Sequence, residues 1–224
     1  MNTSKILVVA ASCVFLAAQA SAATLFGIVS GPTVSASSAV LVDSAVTVAS
    51  SGGSVYQRGS GLAAASGSTF NTQGYGTTSE AAAITAGDFI TWSFTSSTGH
   101  DLTSANIRYD RSGTGPAALS IQFSTDGTNF STVLTDTAVS DAGENVLNID
   151  LSTFDNVTSG TFRVVGWNAS SAAGTFDFEN DPLVGSAASS SVSFLLTGEP
   201  VPEPTTMAIL AAAGLMAARR RKSR

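Results

Sequence analysis

Residues 88–95 read DFITWSFT. On an extended chain Ile90, Trp92 and Phe94 fall on one side, and Phe89, Thr91, Ser93 and Thr95 on the other. A period of two is the pattern of a half-buried strand, and an α-helix cannot place those three large apolar groups together. Residues 118–124, ALSIQFS, repeat it, with Leu119, Ile121 and Phe123 opposite Ser120, Gln122 and Ser124. Thr125-Asp126-Gly127-Thr128 follows. Glycine supplies the positive φ of a tight turn and aspartate bonds back to the backbone, so Phe130 and Val133 begin a returning strand.

Further strands are expected at 24–29, 45–48, 145–151, 161–167 and 175–178, and at 191–196, where Val192, Phe194 and Leu196 would share a face. Gly/Ser-rich joins separate them. Residues 50–75 read as a long surface connection anchored by Tyr56, Leu62 and Phe70, and 185–191 as a second join. Outside the termini no segment carries an amphipathic helical period. Many short strands with turn signals between them predict an all-β fold, an antiparallel β-sandwich of jelly-roll-like form over residues 23–197.

The termini have a different character. MNTSK carries one Lys, the next residues are apolar, and Ala20-Ser21-Ala22 supplies a small-x-small site before Ala23. A basic start, a short apolar run and such a site describe a secretory signal peptide, residues 1–22, with a signal helix preceding the domain. The single cysteine, Cys13, lies in that apolar run. Ala10 stands three residues before it, where an acylation site needs a large aliphatic residue, so Cys13 reads as apolar filler. The exported domain then has no disulfide.

Of the 10 basic and 16 acidic residues, six bases lie at the two termini, and Glu199 and Glu203 follow the domain. Residues 23–197 therefore keep four bases against fourteen acids. So acidic a surface repels nucleic acid and anionic lipid, which leaves nucleic acid out as a partner. Charged residues make up only 12% of the chain, unlike a charged disordered segment.

The C-terminal end, VPEPTTMAILAAAGLMAARRRKSR, has three parts. Pro202, Glu203 and Pro204 form a triplet that disfavours helix and stays extended, within a linker at 198–204. Residues 205–218 are apolar, and Arg219, Arg220, Arg221 and Lys222 open a basic tail at 219–224 that holds the end in the cytoplasm. The apolar part has 14 residues. That is about 21 Å of helix against a hydrocarbon core near 30 Å, so a short transmembrane helix there is a weak and temporary anchor.

The tripartite order resembles the PEP-CTERM sorting signal. That resemblance implies an exported substrate of an exosortase-like membrane enzyme, passing through the inner membrane to the cell surface or extracellular matrix. It also implies an association with exopolysaccharide or biofilm. More weakly, residues 119–130 resemble the strand-turn-strand of galactose-binding-like and discoidin-like jelly rolls, with Phe130 where tryptophan is usual. This supports the sandwich and transfers no sugar site.

Catalytic chemistry finds little footing. His100 is the only histidine, its neighbour Asp101 would point away from it on a strand, and no nucleophile elbow is present. His100 is expected in a solvent-facing loop. Asp177, Glu179 and Asp181 alternate along FDFEND and would share one strand face, a set of oxygen ligands suited to calcium as much as to simple solvation. No other cofactor is expected. Trp92 reads as core, while Trp167 and Tyr109 are candidates for stacking on a sugar. Arg108, Asp110 and Arg111 read as a loop-stabilising cluster at a strand end. The expected function is non-enzymatic, a structural or adhesive surface protein. A carbohydrate-binding module, with or without calcium, is the alternative, and a secreted hydrolase the remotest reading.

Overall fold

A computed structural model describes residues 22–31, 33–40, 42–67, 69–180 and 191–202. The strands are β1 (Ala23–Ser30), β2 (Ser37–Val40), β3 (Val46–Val48), β4 (Gln57–Arg58), β5 (Ala63–Ala64), β6 (Phe70–Gln73), β7 (Phe89–Arg111), β8 (Ala118–Ser124), β9 (Ser131–Asp136), β10 (Asn145–Asp150), β11 (Val157–Trp167), β12 (Thr175–Phe178) and β13 (Phe194–Pro200). Among the described residues one helix, α1 (Glu80–Ala86), lies between β6 and β7. Every ladder between these strands is antiparallel.

The organising element is β7, which runs for 23 residues. Its first half pairs with β11, β3 and β4, and its second half with β10, β13 and β12. The ladder to β11 breaks between Thr95 and His100, so the strand bends there and passes from one layer of the sandwich to the other. The inward positions are Ile90, Trp92 and Phe94 before the bend and Ala105, Ile107 and Tyr109 after it. The parity changes because Thr103 is an extra residue in the ladder to β13, where Thr197 pairs with Ser104 but Gly198 with Leu102. The sequence alternation of 88–95 is correct, yet His100, expected in a loop, lies in the middle of this strand.

Aromatic rings join the layers. Trp92 meets Phe194 of β13 at 4.9 Å between ring centres, and Phe94 meets Phe26 of β1 at 5.4 Å. Tyr56 stacks on Phe178 at 4.1 Å and 11°. Tyr56, Leu62 and Phe70 are buried as expected of anchors, although residues 50–75 also contribute three short strands. The Asp126-Gly127 turn forms between β8 and β9, with Gly127 at φ 73° and Asp126 Oδ1 accepting from the N–H groups of Thr128 and Asn129.

Two further expectations are corrected. Helix α1 forms in SEAAAITAG: the Ser79 side chain accepts from the Ala82 N–H, Gly87 closes the end at φ 84°, and Ala83 packs with Ala118, Val165 and Trp167. Alanines give the burial without the large apolar stripe that announces a helix. Val192 does not share a face with Phe194 and Leu196. It precedes the strand and packs with Leu195 against Val29 and Val40 on the outer side.

Candidate functional site

Three places on the sandwich gather polar or accessible groups. The first is the corner where both chain ends leave. Ala23, the first residue of β1, is the ladder partner of Gly198 in β13. β13 ends at Pro200, the Val201 N–H donates to Gly99 O at 2.8 Å, and Pro202 follows, exposed. Ala22 and Ala23 are exposed at the same corner. Ala20, Glu203, Pro204, the apolar segment 205–218 and Arg219, Arg220, Arg221 and Lys222 lie outside the described residues, as does Cys13. Among the described residues no helix is long and apolar enough to cross a membrane.

The second place is the outer face of the layer holding the second half of β7. Asp177 pairs with Asp110 across the β12–β7 ladder, and Thr69 Oγ1 donates to Asp177 Oδ2 at 2.7 Å. The Glu179 carboxyl is close enough to Asp177 to be raised by it. Burial, and then that neighbouring carboxylate, push the Glu179 carboxyl up to about 7, and burial raises Asp177 as well. Phe176 and Phe178 point into the core, as the alternation requires. Asp181, the third member of the calcium set, lies outside the described residues. Among the described residues no three His, Cys, Asp or Glu side chains gather where a metal ion would sit. Alongside, Arg108 pairs with Glu144 and Asn106 donates to Asn148 Oδ1 at 2.6 Å.

The third place was not visible in the sequence. On the outer face of the other layer, cross-strand partners form polar rows. Gln57, Thr91, Arg163, Gln122 and Thr132 make one, and Ser93, Thr161 and Ser124 the next. One end is built up. Glu80, at the start of α1, accepts from Ser120 Oγ at 2.5 Å and Gln122 Nε2 at 2.7 Å. Gln122 Oε1 in turn accepts from Arg163 Nε at 2.9 Å, and the guanidinium lies 4.0 Å from the Phe130 ring centre. Partial burial lowers the Arg163 pKa. The other end is open. β3 pairs with β7 at Phe94–Ser96 and β4 at Ile90–Thr91, so the edge is interrupted opposite Trp92, where the Ala49 N–H reaches Ser93 O. A cleft of about 120 Å³ occupies the gap, lined by Ser51, Val55, Gln57, Thr91, Trp92, Ser93 and Thr161 among others. Among the described residues the buried Trp92 Nε1–H has no hydrogen-bond partner.

Other candidates resolve as structure. His100 is 1% exposed inside β7, not in a solvent-facing loop, because the strand continues through it. Trp167 and Tyr109 are buried, so neither offers a stacking face. Arg111 donates to the carbonyls of Val139, Ser112 and Gly115, tying down the loop before β8.

The strands define an antiparallel β-sandwich in which β13 runs to Pro200, so residues 198–200, expected as part of a linker, are strand. Residues 200–222 match the PEP-CTERM protein-sorting motif. The motif implies an exported protein routed through the membrane to the cell surface. No curated protein matches the chain. Solved structures resemble it distantly. A family 89 glycoside hydrolase from Clostridium perfringens aligns at 18% identity and TM-score 0.36, over 69% of this chain and 14% of that one. An arginine-to-alanine mutant of the family 29 carbohydrate-binding module CBM29-2 aligns at 12% identity and TM-score 0.36, over 80% and 92%. TmCBM61, in complex with beta-1,4-galactotriose, aligns at 11% and 0.28, over 69% and 83%. Likeness of this size assigns neither ligand nor reaction.

Proposed function

We propose that this protein is exported, anchored briefly in the inner membrane by residues 205–218, and released or transferred to the cell surface or extracellular matrix. There the sandwich has a structural or adhesive role within exopolysaccharide and carries out no reaction. In this reading residues 1–22 are a signal peptide cut after Ala20-Ser21-Ala22, so that Ala23 begins the mature chain. Pro202, Glu203 and Pro204 are presented to an exosortase-type enzyme, and Arg219, Arg220, Arg221 and Lys222 stop transfer.

One observation carries the reading: the match to the sorting motif begins at residue 200, where β13 ends. Two details agree with it. A cut before Ala23 removes no strand residue, and Pro202 is accessible just beyond the last ladder pair. Intact-mass analysis and fractionation of the protein from its native host test the proposal. Loss of residues 1–22 and a new C-terminus near Pro202 are expected, with the product at the surface or in the matrix. Replacing Pro202 and Pro204 by Ala should hold the chain in the inner membrane. An uncut chain in the cytosol would overturn the reading.

A further inference from the structure

We infer that the interrupted sheet edge between β3 and β4 is the binding cleft for an uncharged polysaccharide. The inference supplies a ligand for the adhesive role proposed above and rests on that reading for its setting. The floor is Thr91, Ser93 and Thr161, three half-buried hydroxyl-bearing residues that point away from the core. One wall is the segment 49–57, with Ser51, Gln57 and the apolar Val55. Arg163 is the ladder partner of Thr91, so the floor runs directly to the Arg163–Phe130 stack, a flat surface that is partly exposed.

These groups match what a sugar offers. A pyranose presents hydroxyls around its rim and an apolar C–H face, and sites that take it combine a few converging polar groups with a flat ring. Here the hydroxyls of Thr91, Ser93 and Thr161 line one floor, Gln57 stands beside them with its Nε2 donating to Ser51 O and Ser54 O, and Phe130 supplies the ring.

Charge selects the class. Arg163 is already committed to Gln122, with Glu80 bonded to the same amide, so it is not a free anion receptor. The surrounding domain carries fourteen acids against four bases, which disfavours acidic glycans. The cleft, about 120 Å³, is well below the roughly 300–1,000 Å³ that encloses a drug-sized ligand. It therefore seats the edge of one sugar unit, while the polymer continues across the sheet face toward Phe130.

The test uses affinity electrophoresis and calorimetry of the full chain with neutral β-1,4-glucan, β-1,4-galactan and dextran, and with anionic polygalacturonate. At least one neutral glycan should bind, and polygalacturonate should not. Thr161→Trp, which fills the cleft from the outer face of β11, should weaken binding at least tenfold. Val146→Ser, in the other layer, should leave it unchanged. Where Thr161→Trp lowers the Tm, Gln57→Ala combined with Ser93→Ala supplies the comparison. Failure of every neutral glycan to bind, a preference for polygalacturonate, or unaltered affinity in the cleft variants would overturn the inference. Correct processing of a chain that binds no glycan would defeat the cleft alone, and binding by a chain that is never exported would defeat the sorting reading alone.

Discussion

The Phe130 ring covers the guanidinium of Arg163, which in turn donates to Gln122 Oε1. The ring lies just past the β8–β9 turn and holds the only base on β11 over the sheet. Phe130→Ala removes the cation–ring contact and should cost about 1 kcal/mol. A lower urea midpoint with unchanged m-value is the expected result. Phe130→Trp offers a better cation partner and should retain or exceed the parent midpoint.

Phe178 touches Tyr56, Phe70, Trp92 and Phe176, so it joins both layers. Phe178→Ala should cost about 3–5 kcal/mol through lost burial and a residual cavity. Domains of this kind are stable by only about 5–15 kcal/mol. The variant should therefore lose much of its denaturant resistance, read by tryptophan fluorescence during urea unfolding.

Gly160 sits opposite Phe94 in the β11–β7 ladder, and a Cβ there would lie 2.5 Å from ring atoms of both Phe123 and Phe94. Those rings are fully packed and cannot retreat. Gly160→Ala should destabilise by about 1–3 kcal/mol despite alanine's better strand propensity. A calorimetric Tm equal to the parent's would refute this.

The Asp177–Glu179 pair gives the stability a definite pH dependence. The folded-state carboxyl of Glu179 is raised from 4.5 to about 7, so between those values the folded chain holds a proton that the unfolded chain has released. Stability from this pair is complete below about pH 4.5 and falls as pH rises through about 7. Tm should decline between pH 5 and pH 8, and Glu179→Gln should flatten the decline.

Much of this fold is legible because strands write themselves at short range. Ile90, Trp92 and Phe94, or Leu119, Ile121 and Phe123, declare an inner face within seven residues, and Asp126-Gly127 declares its turn. What fails are features set by partners far along the chain. His100 sits in a polar stretch, SSTGHD, and is buried only because β13 and β11 pair across it. Helix α1 hides among alanines. The cleft has no signature at all, since its floor comes from β7 and β11 and its wall from residues 49–57, and it exists only because β3 and β4 stop short of each other. The sorting tail is the opposite case, since residues 200–222 are matched from sequence alone.

The pairing of Ala23 with Gly198 also fixes how the domain bears load. Tension between its two ends would peel β1 from β13 one rung at a time, the weakest way to pull a sheet apart. Tension entering through Pro202 alone meets a different resistance. β13 is bonded to β1 on one side and β7 on the other, so both ladders must shear at once. A sandwich tethered only by its last strand is therefore held by its mechanically stronger handle.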